Sequence, residues 1–203
     1  MDKKATILVI DDEESMRDAC SQVLTKDGYN VISAMDGVTG IGLVKDKKPD
    51  LAIVDLKMPG ISGMDVLEKI RDINSSIICV VITGYATISS AVDSMKRGAY
   101  DFLPKPFSPD ELRIIVKRGV EKRGLILETI SLREEKEKMR ESFITMVSHQ
   151  LKAPLASIQQ YLEAIFSKSV GEINPQQEKI FQRISERISG LLTLINSWLN
   201  LSN

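Results

Sequence analysis

The stretch Leu51-Ala52-Ile53-Val54-Asp55-Leu56-Lys57-Met58-Pro59-Gly60 decides how this chain is read. Four apolar residues run unbroken into a carboxylate, and Pro59-Gly60 stops the segment soon after. A short continuous apolar run bounded by turn residues is the pattern of a strand buried on both faces. Three other runs end in the same way on a polar side chain. Ile7-Leu8-Val9-Ile10 meets Asp11-Asp12, Ile77-Ile78-Cys79-Val80-Val81-Ile82 meets Thr83, and Tyr100-Asp101-Phe102-Leu103 leads past Pro104 to Lys105. Strands of an open parallel sheet all finish on one edge, so these side chains are expected to converge in one crevice. Carboxylates, a hydroxyl and an ammonium gathered there point to a divalent cation and a phosphoryl group.

Outward from that stretch, strand and helix patterns alternate. Strands are expected near residues 5–10, 29–34, 50–55, 77–82 and 100–103, with helices between them. Glu14 to Lys26 carries Met16, Ala19, Cys20, Val23 and Leu24 on one face, and Gly28 stops it. Ser62 to Ile73 carries Met64, Val66, Leu67 and Ile70, and Thr87 to Arg97 carries Ile88, Ala91, Val92 and Met95. Gly37, Gly40 and Gly42 do not follow a strand in the order a phosphate loop needs, so they read as a weak helix with its entry turn. The fold class is an α/β doubly wound, five-stranded parallel sheet.

After Pro109 no proline occurs until Pro154. Leu112, Ile115, Val116 and Val120 read as the last helix of the sheet domain, and the helical pattern continues through Leu127, Ile130, Met139, Phe143 and Val147. Arg133 to Lys138 is polar all round, with Glu134 four residues before Lys138. It reads either as a solvated helix or as a parallel coiled-coil connector. Gly119 and Gly124 each cost roughly 1 kcal/mol of helix relative to Ala and offer a hinge. From Met146, the residues Val147, Leu151, Leu155, Ile158, Leu162 and Ile165 keep one face apolar, and Ser167 to Ile173 reads as a turn containing Gly171. Asn174-Pro175-Gln176-Gln177 is a helix start, with Asn at the N-cap, Pro at the first position and Gln at the third. The next helix places Ile180, Ile184, Ile188, Leu191, Ile195 and Trp198 at bundle spacing. Two helices make a poor core, so an all-α hairpin forming a four-helix bundle by dimerisation is expected. The division is residues 1–122, a connector over 123–142, and a hairpin over 143–203.

The chain has 203 residues and a net charge of -1, which gives no footprint for nucleic acid. No apolar run approaches the length of a membrane span, and Met1-Asp2-Lys3-Lys4 is no signal peptide, so a cytoplasmic protein is expected. Cys20 and Cys79 read as small buried hydrophobes.

The order Asp-Asp, Asp, Thr, Lys, with Val54 to Gly60 and Leu103-Pro104-Lys105-Pro106, resembles the receiver domain of two-component response regulators over roughly residues 3–122. The resemblance implies Mg²⁺ held by Asp12 and Asp55, by Asp11 through water and by the Lys57 carbonyl. It implies Asp55 as the phosphoryl acceptor from a phosphohistidine, with Lys105 neutralising charge and Thr83 bonding to the attached phosphoryl. It implies Gly84 as a small neighbour, Thr83 and Phe102 as switch residues, and a cis bond before Pro106. Phe143-Ile144-Thr145-Met146-Val147-Ser148-His149-Gln150-Leu151-Lys152-Ala153-Pro154-Leu155 resembles the H-box of sensor histidine kinases, which implies His149 as phosphoacceptor in a dimerisation hairpin. His149 is the one histidine of the chain. An imidazole accepts phosphoryl at neutral pH because one nitrogen is unprotonated, and Pro154 frees a backbone carbonyl and bends the helix beyond it.

Two positions depart from that second pattern. Gln150 stands where the family has an acidic residue, and an amide is a poor general base. Ala153 stands where kinases that also dephosphorylate carry Thr or Asn, and Ala cannot orient a water. Asp-x-Gly-x-Gly and the other boxes of an ATP-binding domain do not follow His149. ATP would therefore act only through a domain outside this chain. Three readings stay open: part of a receiver-containing histidine kinase, a complete non-catalytic phosphorelay adaptor, and a structural dimerisation module. The expected partners are a second copy of the chain, an upstream phosphodonor and a downstream response regulator.

Overall fold

A computed structural model describes residues 4–84, 88–167, 171–172 and 174–201, with the side chains of 88–90 and 199–201 left outside the description. The helix start expected at Thr87 and the 168–170 and Ile173 part of the expected turn lie outside the described residues, as does the side chain of the helix-face position Ile88. The chain divides into two compact units, Met1–Ile130 and Ser131–Asn203.

The first unit contains strands β1 (Thr6–Ile10), β2 (Asn30–Ala34), β3 (Leu51–Asp55), β4 (Ile78–Thr83) and β5 (Asp101–Pro104). Between them lie helices α1 (Glu14–Lys26), α2 (Gly37–Lys47), α3 (Gly63–Ile73) and α4 (Ile88–Lys96). The long helix α5 (Pro109–Phe166) follows. All strand pairs are parallel, in the order β2-β1-β3-β4-β5. The chain order reverses between β1 and β3, which opens a crevice at their carboxyl ends.

The central strands are buried on both faces because alternate side chains enter two separate cores. Leu8, Ile10, Ala52, Val54 and Val81 pack with Val44 of α2 and with Val66, Leu67 and Ile70 of α3. Ile7, Val9, Leu51, Ile53, Val80 and Ile82 pack on the other face with Cys20 and Leu24 of α1 and with Leu112, Ile115 and Val116 of α5. Cys20 and Cys79 are free and buried, and burial pushes their thiols up to about 11 and about 12 respectively.

Two expectations are corrected. On α4, Val92 and Met95 do not face the core: they are 46% and 49% exposed, while Ser94 is fully buried with its hydroxyl on Met64 Sδ at 3.7 Å. A small polar residue that finds a partner lets the helix sit close, and the larger side chains turn outward. Gly119 is no hinge. It is buried inside continuous helix, and a Cβ there would lie 2.5 Å from Leu51 Cδ1 and 3.2 Å from Ile78 Cγ2. Its missing side chain brings α5 down onto the sheet.

In the second unit, the later part of α5 and α6 (Pro175–Leu201) bury Ser148, Leu162, Ile188 and Ile195. Asn174 starts α6 as a reciprocal cap: its Oδ1 accepts from the N–H groups of Gln176 (3.0 Å) and Gln177 (2.9 Å), and Gln177 Oε1 accepts from the Asn174 N–H (3.0 Å). Along the seam, Ile180, Ile184, Leu191 and Trp198 remain 39–59% exposed. Among the described residues, no helix is long and apolar enough to cross a membrane.

Candidate functional site

The carboxyl edge of the sheet gathers the polar strand ends. Asp55 is the last residue of β3 and Thr83 the last of β4, while Asp11 follows β1 and Lys105 follows β5. The Lys105 ammonium donates to Asp11 Oδ2 and to Asp55 Oδ2, both at 2.8 Å, and lies 3.4 Å from Glu13 Oε1. Asp11 and Asp55 are 2% and 5% exposed, so these are charge-assisted bonds out of bulk solvent. Asp55 Oδ1 accepts from the Lys57 N–H at 3.1 Å, and Asp11 Oδ1 accepts from the Glu13 N–H at 2.9 Å. Both buried carboxylates are thus bonded at both oxygens.

Local sequence explains each placement. The Lys105 N–H donates to the Thr83 carbonyl at 2.9 Å, which ties the end of β5 to the end of β4. The Lys105–Pro106 bond is cis. Thr83 is 1% exposed, and Gly84 has open space where a side chain would stand. Phe102 is half-buried against the α2–α3 core. Asp11 does not cap α1: the N-cap is Glu13, and its own side chain makes no capping bond.

Charge sets the character of the crevice. Burial pushes the Asp11 carboxyl above its ordinary value, with the Asp55 charge acting the same way and the Lys105 bond opposing. Burial works against the Lys105 ammonium as well, but its bonds to Asp11 and Asp55 win and hold it above the usual lysine value. Asp11, Asp12 and Asp55 each offer an oxygen within 4.8 Å of the others. One ammonium shared among these acids and Glu13 leaves an excess of negative charge, and at ~4 Å each unrelieved carboxylate pair costs roughly 4 kcal/mol at an effective dielectric of about 20. An all-oxygen donor set with excess negative charge fits a hard divalent cation such as Mg²⁺. Lys57 stands two residues beyond Asp55 and meets it through its amide.

Three neighbours of the crevice escape a reading of sequence alone. Glu13 reaches Lys105 only through the fold. Arg17 of α1 turns back, and its Nη1 donates to the Asp11 and Asp12 carbonyls at 2.8 and 3.0 Å. Gly63 starts α3 so close to β3 that a Cβ would collide with the Asp55 carbonyl oxygen, and its N–H donates to the Leu56 carbonyl at 3.1 Å. A glycine directly after the capping Ser62 was the available signal for Gly63.

His149 lies in the second unit and is exposed beside buried Ser148. Gln150 and Ala153 are exposed on the same helix, and the Ala153 carbonyl accepts from Ser157 Oγ at 3.2 Å.

Comparison with known proteins follows the same two units. The response regulator receiver domain family matches residues 7–117, and the His Kinase A (phospho-acceptor) domain family matches residues 139–203. Sporulation initiation phosphotransferase F of Bacillus subtilis is 32% identical over 112 residues, 55% of this chain and 90% of that protein. The C4-dicarboxylate transport transcriptional regulatory protein DctD of Pseudomonas aeruginosa is 36% identical over 133 residues, 65% of this chain but only 29% of that protein. Among solved structures, a CheY-like receiver domain protein from Methanospirillum hungatei superposes with a TM-score of 0.58 at 28% identity, covering 60% of this chain and 98% of that one. The receiver domain of NtrX from Brucella abortus gives 0.55 at 33% identity, covering 57% and 98%. With the strand-end crevice, the sheet order and both family matches in agreement, the chain belongs to the response regulator receiver domain family and carries a His Kinase A phospho-acceptor domain after its receiver, the composition of a two-component signal transduction protein.

Proposed function

We propose that Asp55 accepts a phosphoryl group from the phosphohistidine of an upstream partner, and that the phosphorylated receiver regulates a dimeric hairpin whose phosphoacceptor is His149. The observation that carries this is the Lys105 ammonium bridging Asp55 and Asp11 at 2.8 Å on the crevice floor. A carboxylate oxygen of Asp55 attacks phosphorus as the phosphorus–nitrogen bond to the donor imidazole breaks. The product is an aspartyl phosphate, and the departing imidazole takes up a proton. Lys105 has only to shift from a carboxylate oxygen to a phosphoryl oxygen to follow the charge. The Thr83 hydroxyl would bond to the attached group. Asp11, Asp12 and Asp55, with the Lys57 carbonyl, would hold Mg²⁺, which when bound neutralises charge on the transferring oxygens.

The complete-adaptor alternative is not favoured, because a His Kinase A domain covers 139–203. Buried thiols at Cys20 and Cys79 suit a cytoplasmic setting, where they stay reduced. Incubation with acetyl phosphate and Mg²⁺, followed by intact-mass measurement, tests the reading. One phosphoryl group should appear, labile to base, and should be lost in Asp55→Asn and on chelation. Labelling that survives either change overturns the assignment.

A further inference from the structure

The loop from Asp11 to Glu13 carries two of the three clustered aspartates, and hydrogen bonds hold most of it. The Asp11 N–H donates to the Ala34 carbonyl at 3.2 Å, the Glu13 N–H donates to Asp11 Oδ1 at 2.9 Å, and the Arg17 N–H donates to the Glu13 carbonyl at 3.1 Å. Those bonds fix Asp11 and Glu13. At Asp12 the case differs. Its carboxylate is exposed, and among the described residues no hydrogen bond holds it. Its oxygen nevertheless lies within 4.8 Å of those of Asp11 and Asp55. The aim of this side chain is therefore set by its own backbone. Among the described residues, one group grips that backbone: the Arg17 guanidinium, whose Nη1 donates to the carbonyls of Asp12 (3.0 Å) and Asp11 (2.8 Å) together. Two consecutive carbonyls converging on one nitrogen fix the two peptide planes on either side of the Asp12 Cα, and with them the direction of its Cβ.

We propose that Arg17 is a positioning residue for the metal-holding acids: it orients the Asp11–Asp12 peptide so that the Asp12 carboxylate meets those of Asp11 and Asp55 at a bound Mg²⁺. This rests on the metal reading of the crevice. The sign of the effect separates positioning from simple charge. A guanidinium acting only as a nearby positive charge opposes a cation, so its removal would tighten Mg²⁺ binding. A guanidinium acting through the loop pre-organises the ligands, so its removal weakens binding.

The test is a Mg²⁺ titration of the full chain, labelled with nitrogen-15 and carrying no phosphodonor, followed through the amide shifts of Glu13 and Lys57. Arg17→Met keeps the stem and removes the donors. It should weaken Mg²⁺ about tenfold, equivalent to ~1.4 kcal/mol. Arg17→Lys keeps the charge with a single ammonium and should weaken it about threefold. Melting in chelator reads the fold separately, and a structural role alone would lower the melting temperature without moving the Mg²⁺ affinity. Unchanged or tighter Mg²⁺ binding in both variants overturns the proposal while leaving the metal site standing. A wild-type chain that shows no Mg²⁺-dependent shifts removes the metal reading, and this inference with it.

Discussion

The Lys105 ammonium and the Asp55 carboxylate meet at 2.8 Å although fifty residues separate them in sequence. Asp11 takes the same ammonium at the same distance. Lysine here offsets the buried negative charge of both carboxylates, so removing it leaves the two facing each other out of solvent. Breaking one partner of a buried ion network is costly for that reason.

Lys105→Met should therefore destabilise the receiver by roughly 3 kcal/mol in the absence of divalent cation. Mg²⁺ at millimolar concentration should recover much of that loss, since it offers the acids another partner. Thermal melting with and without Mg²⁺ measures both. Equal losses in the two conditions would mean that the ammonium and the cation do not share ligands.

Asp11 gives a pH-dependent expectation. Burial raises its carboxyl above the ordinary value, so in the folded chain the charged form is disfavoured relative to the unfolded chain. The folded state binds the proton more tightly, and stability without metal falls as pH rises from below 3.8 through the raised value. Asp11→Asn should remove that fall and be more stable than the wild type at neutral pH. The gap should close at acid pH, where the wild-type group is protonated in both states. Chelated samples melted across pH 3 to 7 supply the comparison, and a gap that widens towards acid would contradict it.

Much of this site was legible because strands buried on both faces leave an unmistakable apolar run, and the residue that breaks the run must lie at the edge. Asp11, Asp55, Thr83 and Lys105 were readable on that ground alone, as were the cap at Asn174 and the boundaries of α1. Contacts between elements were not readable. The inward turn of Ser94, the closeness of Gly63 to Asp55 and the reach of Arg17 depend on how near two backbones come. One-dimensional spacing carries no such distance. The apolar set on α4 misled for a related reason: Val92 and Met95 share the period of a buried face, yet a helix needs only one close-packed residue to dock.

Gly119 and Gly124 separate packing from helix propensity. Both lie within the same continuous helix, but a Cβ at Gly119 would press on Leu51 at 2.5 Å, whereas at Gly124 nothing lies within 4 Å. Gly119→Ala should cost about 1–3 kcal/mol through overpacking. Gly124→Ala should stabilise by up to roughly 1 kcal/mol through helix propensity. Denaturant titration of the two variants checks the opposite signs. Similar effects at both positions would return Gly119 to the hinge reading.

The reciprocal cap of α6 predicts a local loss. Asn174→Ala removes the acceptor for the Gln176 and Gln177 N–H groups and should cost about 1 kcal/mol. Hydrogen exchange should quicken over residues 175–180 and stay unchanged in the five strands. Uniform protection of the start of α6 in the variant would show that packing, not the cap, holds that end.

The hairpin should associate with a second copy through the seam it leaves exposed. Leu191 is 50% and Leu194 57% exposed on α6, and together with Leu151, Pro154 and Ile195 they line an apolar hollow of about 310 Å³. Covering a leucine of this kind contributes roughly 1.5–3 kcal/mol when it is fully buried. Several such residues in one stripe therefore outweigh the cost of association at micromolar concentration. Light scattering on dilution should report a dimer, and Leu191→Glu should convert it to monomer with helical content retained. The substitution puts a charge where a partner's apolar face would seat, so it separates association from folding. A wild-type chain that stays monomeric at tens of micromolar, with native circular dichroism, would show that the seam is covered by something other than a second copy.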